Sequence, residues 1–167
     1  MIDPTSYALA LYQVMTAKNR AVITTNLHHL SNLTEIDKRA LSSLNQNRLK
    51  QFLARFSPDT DELNTLLTIL WSNRAIHHLP KVYRALRREL RRQHIPVIEV
   101  TSATSDMTTD IFKKHFGADA IIIPTSDPRL IAGLLVRTDN GMYEYSIDQQ
   151  LHQLKNVLAA EKGLAHG

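Results

Sequence analysis

A chain of 167 residues, 43% hydrophobic and 22% charged, can bury an ordinary core as one domain or two small ones, which excludes a disordered or fibrous protein. The absence of cysteine excludes disulfides, thiolate chemistry and zinc sites built on sulfur. The net charge of +4 arises from one basic segment, so the chain is not coated in positive charge. We expect neither a secretory signal nor a membrane span, because no window approaches roughly 20 apolar residues.

The first half of the chain predicts about six helices. Asp3 and Pro4 suit the N-cap and N1 positions of a helix over 4–18 that is apolar almost all round. Such a helix is normally covered on more than one side, so it is either central to a bundle or has a second face that receives a partner. Apolar periodicity and turn residues predict further helices over 22–33, 35–44, 48–56, 61–72 and a basic segment that ends near 94.

The basic segment, residues 74–94, contains seven Lys or Arg side chains against one acid, whereas the rest of the chain has 13 basic and 15 acidic residues. One helix face carries Lys81, Arg84, Arg88 and Arg91, with Arg87 and Arg92 beside it, opposite an apolar stripe. Three interpretations remain open: a solvated outer face, a surface for an acidic protein partner, and a nucleic-acid surface. The face lacks stacking aromatic residues, which disfavours the third.

After residue 95 the pattern becomes β-branched and short. It predicts a strand over 96–103, a helix over 107–116 capped by Ser105 or Asp106, and a strand over 120–123. Apolar residues over 130–136 then precede Asp139-Asn140-Gly141, which we expect to supply the positive φ of a tight hairpin. A return strand over 142–146 and a helix over 147–158 complete the pattern. The predicted fold is α+β with two domains, a six-helix bundle (1–94) followed by a small α/β domain (95–167).

No catalytic, cofactor or metal site is predicted. The pairs His28-His29 and His77-His78 are poor chelators, because adjacent helical residues point about 100° apart. Asp106 and Asp110 share one helix face, but carboxylates in a first turn more often favour the helix dipole than acid–base catalysis. The five glycines are too scattered for a phosphate-binding loop.

Several strings resemble the delta subunit of bacterial F-type ATP synthases, known in mitochondria as the oligomycin-sensitivity-conferring protein. Residues 7–12 are similar to the first helix of that family, residues 70–82 to its fifth and sixth helices, and residues 100–103 to its first strand. The strongest similarity covers 127–137, followed by Ser146 and the final amphipathic helix. The chain departs from the family where it has Ala132-Gly133 for a common Gly-Gly, and Glu144-Tyr145-Ser146 for a common Asp-Gly-Ser.

The resemblance implies a structural stator subunit rather than an enzyme, without a cofactor or nucleic-acid partner, peripheral to the cytoplasmic face of a bacterial inner membrane. In that family a groove between the first and fifth helices receives the N-terminal helix of an alpha subunit, and the C-terminal domain binds the end of the b-subunit coiled coil. By position, the candidate groove residues are Tyr7, Leu11, Met15, Leu63, Leu66, Leu67 and Leu70. The candidate b-subunit contacts are Leu130, Ile131, Leu151 and Leu154.

Two alternatives stay open. One is the E-type peripheral stalk subunit of V/A-type ATPases, which also carries a Gly-containing strand before a return strand and helix. That family begins with a long, highly charged helix, which the first half of this chain lacks. The other is a nucleic-acid-binding adaptor that uses the basic helix 74–94.

Overall fold

The computed structural model describes residues 3–104, 109–130 and 133–146. It divides the chain into two compact units, Met1–Ile95 and Pro96–Gly167. None of the helices within the described ranges is long and apolar enough to cross a membrane. The helical first part and the small α/β second part confirm the predicted fold class.

Six α-helices and one 3-10 turn build the described part of the first unit. They are α1 (Pro4–Val14), α2 (Arg20–Ser31), α3 (Glu35–Ser42), α4 (Gln46–Phe56), α5 (Asp61–Ser72), the 3-10 turn (Ile76–His78) and α6 (Leu79–Arg92). The side chains of Asp3, Thr34 and Asn45 fix the starts of α1, α3 and α4, because each accepts a hydrogen bond from a backbone N–H of the first turn.

Helix α1 ends at Val14 rather than at the predicted residue 18. The backbone turns extended at Met15. The side chains of Thr16 and Asn19 then satisfy backbone donors locally: the Thr16 N–H donates to Asn19 Oδ1 at 2.7 Å, and the Asn19 N–H donates to Thr16 Oγ1 at 3.3 Å. Such side-chain bonds compete with a helix, so they end α1 and lead into α2.

The core of the first unit includes one side of α6, which packs against α1 and α2. The predicted apolar stripe of α6 is buried over its whole length, at Leu79, Val82, Tyr83, Leu86 and Leu90. Because this stripe is inside, the charged side of α6 faces solvent.

Helices α5 and α6 are each followed, two residues after their last residue, by a non-glycine residue in the left-handed region. Arg74 has a φ of 55° and His94 a φ of 57°. In each case the next N–H reaches back to a helix carbonyl, from Ala75 to Leu70 at 2.7 Å and from Ile95 to Leu90 at 2.9 Å. These are the bonds of a Schellman ending, where glycine is the usual residue.

The second unit contains a four-stranded sheet and one described helix. The elements are β1 (Val97–Ser102), α7 (Asp110–Phe116), β2 (Ile121–Ser126), β3 (Gly133–Thr138) and β4 (Gly141–Ser146). The strand order is β2-β1-β3-β4. Strand β1 pairs in parallel with β2 and antiparallel with β3, and α7 belongs to the crossover that a parallel pair needs.

A cluster of buried apolar side chains lies on one side of the sheet. Phe112 and Phe116 of α7, which are half-buried, pack against this cluster. The cluster consists of Ile98, Val100, Ala120, Ile122 and Val136. The predicted cap of α7 at Ser105 or Asp106, like the helix predicted over 147–158, falls outside the described residues.

Strand limits in the second unit differ from the prediction. Strand β2 runs on to Ser126, beyond the predicted end at residue 123, because its parallel register with β1 continues through Thr125 and Ser126. The apolar residues over 130–136 do not all belong to β3, which begins at Gly133 with a φ of 111°.

The β3–β4 hairpin forms where it was predicted, and within Asp139-Asn140-Gly141 the positive φ lies at Gly141, at 157°, and not at Asp139 or Asn140. Thr138 also stabilises this turn. Its Oγ1 accepts the N–H of Asn140 at 3.1 Å and donates to the carbonyl of Gly141 at 3.2 Å. These side-chain bonds stabilise a turn whose positive φ lies at its glycine.

We predict that His94→Gly raises the free energy of unfolding by about 0.5–1 kcal/mol. Glycine removes the steric cost of the left-handed conformation. This gain is larger than the loss from the greater conformational entropy of glycine in the unfolded chain. Urea denaturation followed by circular dichroism measures this change. The control His94→Ala keeps the steric cost and should not stabilise the protein. Equal stabilisation by both substitutions would contradict the backbone explanation.

Candidate partner-binding surfaces

Helix α1 has two apolar faces with different surroundings. Ala8, Leu11 and the adjoining Met15 are buried in the first unit. On the outside, Leu9 is 43% exposed and Val14 55% exposed. The expectation that this helix is apolar on more than one side is therefore met, and one of those sides is open.

Helix α5 lies beside α1 and also exposes a large apolar side chain. Its Ile69 is 40% exposed. The start of α2, just after α1, lies near the start of α5, because Asn19 Nδ2 donates to Glu62 Oε1 at 2.8 Å. Three of the five large exposed hydrophobic residues described in the first unit thus lie on α1 and α5.

The structure separates the seven predicted groove residues into two groups. Tyr7 is half-buried. The other six are buried in the unit: Leu11, Met15, Leu63, Leu66, Leu67 and Leu70. These six side chains pack in the core, whereas Leu9, Val14 and Ile69 on the same two helices are exposed. The prediction did not include these three exposed residues. For Leu9 a signal existed, because residues two positions apart on a helix, such as Leu9 and Leu11, point about 200° apart.

A compact charged turn follows β2 in the second unit. The Asp127 carboxylate binds Arg129 through two bonds, Nε to Oδ1 at 3.0 Å and Nη2 to Oδ2 at 2.9 Å. It also accepts the Arg129 N–H at 3.0 Å. The Asp127 N–H donates to the carbonyl of Ser102 at 2.8 Å, which ties the turn to the end of β1. These bonds lower the pKa of the Asp127 carboxyl. The side-chain bonds from Arg129 have the largest effect, and the bond from the Arg129 N–H the next largest.

The predicted b-subunit contacts are only partly within the described residues. Leu130 is half-buried, immediately after this turn. Ile131, Leu151 and Leu154 lie outside the described residues. The departure at Glu144-Tyr145 lies within β4, whose backbone pairs with β3 through this point, Glu144 opposite Leu135 and Tyr145 opposite Leu134.

The histidine pairs have packing partners. His28 is buried, lies edge-on to Tyr83 with ring centroids 5.2 Å apart, and accepts a hydrogen bond at Nε2 from Asn32 Nδ2 at 3.0 Å. The rings of His77 and His78 are 4.0 Å apart, and burial is the main cause of a lowered pKa at His78. Among the residues that the structure describes, no three His, Asp or Glu side chains are grouped to hold a metal ion.

These features define a class of protein, an assembly subunit with a helical unit that offers an apolar surface and a small mixed-sheet unit. A family model for the ATP synthase delta (OSCP) subunit matches residues 4–158. The chain belongs to the ATP synthase delta (OSCP) subunit family. Membership confirms the resemblance seen in the sequence and the expected function as a stator subunit of ATP synthase. It gives no support to the E-type stalk subunit or to a nucleic-acid adaptor.

Individual relatives agree with the family model. The chain is 28% identical over 117 residues to ATP synthase subunit delta of Carboxydothermus hydrogenoformans, which covers 65% of this chain and 66% of that protein. It is 25% identical over 127 residues to the subunit delta of Paramagnetospirillum magneticum, covering 72% and 69%. The chain thus spans about two thirds of the length of the curated relatives that it matches.

A solved structure shares the fold. A chain in the cryo-EM structure of the Toxoplasma gondii mitochondrial ATP synthase hexamer superposes with a TM-score of 0.50 at 16% identity. The match covers 95% of this chain and 98% of that one.

We predict that Arg129→Gln raises the pKa of the Asp127 carboxyl toward the ordinary value of about 3.9, because both side-chain bonds to the carboxylate are removed. A carboxyl whose pKa is lowered by folding stabilises the protein at pH values above its ordinary pKa. This stabilisation is lost as the pH falls through the pKa of the folded state. The stability difference between the wild type and the variant should therefore vanish in acid.

NMR titration of the Asp127 carboxyl carbon measures this pKa, and urea denaturation across the acid range measures the stability difference. Arg137→Gln is the control, because the Arg137 guanidinium lies 3.9 Å from Glu99 instead. An unchanged Asp127 pKa in the Arg129 variant would show that the ion pair does not persist in solution.

Proposed function

We propose that this chain is a non-catalytic stator subunit that links the alpha/beta head of an F-type ATP synthase to its b-subunit stalk. It would resist the torque of the rotor, so that proton translocation is coupled to ATP synthesis. Residues 1–94 would bind the head and residues 95–167 the stalk. The family match over residues 4–158 supports this assignment. The protein would be peripheral to the cytoplasmic face of a bacterial inner membrane, through the complex.

The exposed apolar side chains on α1 and α5 are the observation that best supports binding to the head. A partner helix laid along the two helices would cover Leu9, Val14 and Ile69, which are 43%, 55% and 40% exposed. Completing the burial of a leucine-sized side chain contributes at most about 1.5–3 kcal/mol, before the costs of association. The amphipathic N-terminal helix of an alpha subunit is the proposed occupant, by the helix-in-groove mode.

The buried candidates have a supporting role in this proposal. Leu11 and Leu66 are 3% and 6% exposed, so they form the floor that holds the outer side chains in place. Tyr7 is half-buried and so remains a candidate for direct contact. In the second unit, Leu130 remains a candidate contact for the b-subunit coiled coil, together with Ile131, Leu151 and Leu154.

We predict that Leu9→Asp or Ile69→Asp weakens binding of an alpha-subunit N-terminal peptide by about 10- to 100-fold, because a charge replaces an apolar contact. Isothermal titration calorimetry on the full chain measures the affinity. The control Ile36→Asp changes a residue on α3 that is 79% exposed and should leave binding unchanged. Leu11→Asp is a poor test, because it places a charge in the core.

Circular dichroism of each variant confirms that the helices remain folded. Equal affinity of the Leu9, Ile69 and Ile36 variants would contradict the groove assignment while leaving the stator function standing. Failure of the folded wild-type chain to bind the peptide would remove the groove as the head contact.

The stator function itself predicts co-purification. The tagged full chain, expressed in its native cells, should bring down alpha, beta and b subunits of the synthase in one complex, because it contacts both the head and the stalk. Mass spectrometry of the purified complex identifies them. Recovery of the tagged chain without any of these subunits would contradict the proposed function as a whole.

A further inference from the structure

Four basic side chains form one exposed face of α6. Lys81, Arg84, Arg88 and Arg91 are all exposed and follow one another at steps of three or four residues. At 1.5 Å per residue they span about 15 Å, close to three helical turns. We call these four residues the α6 basic face.

The helices packed against α6 provide no carboxylates to neutralise this face. Neither α1 (Pro4–Val14) nor α2 (Arg20–Ser31) contains an Asp or Glu. The one acid of α6, Glu89, binds Arg92 at 3.1 Å and Gln93 at 3.0 Å. Within residues 3–104, 109–130 and 133–146, no ion pair joins the α6 basic face to a carboxylate.

Like charges three and four residues apart on a helix repel one another. Arg84 and Arg88 stand four apart, Arg88 and Arg91 three apart. An external anion aligned with the helix would relieve this repulsion along the whole face. The regular spacing favours a partner whose negative charges are also held in a row.

We propose that the α6 basic face binds an acidic polypeptide segment, a helix with three or four carboxylates along one side. Opposite charges at matching spacing steer such a partner and fix its register. This surface is distinct from the apolar side chains of α1 and α5, and its chemistry is electrostatic rather than hydrophobic.

Two other anionic partners fit the face less well. An anionic membrane surface is normally bound by a helix that also inserts apolar side chains, and none of the large exposed hydrophobic residues described lies on α6. Single-stranded nucleic acid is bound with stacking aromatic residues, but Tyr83, the aromatic residue of α6, is 6% exposed and belongs to the core.

The test uses the full chain and two helical peptides of identical composition. One peptide carries four glutamates along a single face at the spacing of the α6 basic face, and the other distributes them around the helix. Fluorescence anisotropy at low and at physiological ionic strength measures binding. A short DNA duplex and vesicles of phosphatidylcholine with phosphatidylglycerol serve as the competing probes.

The triple variant Arg84→Gln, Arg88→Gln, Arg91→Gln should bind the one-faced peptide about tenfold more weakly than the wild type, because three of the four positive charges are removed. The matched control removes three exposed charges from α4, through Arg48→Gln, Lys50→Gln and Arg55→Gln, and should change binding less than about twofold. The same three α6 arginines changed to lysine keep the charge and should restore most of the binding. Circular dichroism verifies folding of all three variants.

Preference for the one-faced peptide, abolished in the Gln variant and kept in the Lys variant, supports the proposal. It is overturned if the wild type does not bind the one-faced peptide or binds the two peptides equally, or if the α4 control loses as much affinity. Tighter α6-dependent binding of the duplex or of the vesicles would also overturn it, and would assign the face to nucleic acid or to lipid.

Discussion

The burial of one apolar stripe along α6 determines much of the surface of the first unit. Leu79, Val82, Leu86 and Leu90 are each 0% exposed. A fully buried leucine or valine contributes about 1.5–3 kcal/mol, so this stripe holds α1 and α2 against α6 strongly. The opposite side of the same helix must then face solvent, and its basic residues lie there. The position of the α6 basic face is thus a consequence of core packing.

The same packing separates the two apolar sides of α1. Leu11 faces the core at 3% exposure, while Leu9, two residues earlier, is 43% exposed. Side chains two positions apart on a helix point about 200° apart, so a helix anchored by Leu11 must present Leu9 on another side. An all-round apolar helix therefore combines a structural side with an open one. Membership of the ATP synthase delta (OSCP) subunit family is the basis for the occupant proposed for that open side.

Periodicity in the sequence predicted the order of the elements and the fold class, because the apolar spacing changes at residue 95 from a helical period to short β-branched runs. It failed where individual side chains compete with the backbone. Thr16 and Asn19 end α1 early, and Thr138 stabilises a hairpin in which Asp139 and Asn140 lack the expected positive φ. Neither effect has a signal in hydrophobic spacing. Six of the seven predicted groove residues are buried, because apolarity predicts burial in the core before it predicts contact with a partner.

In the proposed function, holding a partner and keeping the bundle folded are linked through α1 and α5. A partner that binds only the folded unit stabilises it by RT ln(1 + [L]/Kd), about 2.7 kcal/mol at a hundredfold excess of free partner over Kd. In the proposed function, a substitution at Leu9 would affect the partner contact alone, whereas a substitution at Leu11 would affect the core and, through it, the surface that the partner needs. The bundle would then be more stable when it is bound. The division of α1 into a core side, with Leu11, and an exposed side, with Leu9, would allow one helix to serve both purposes.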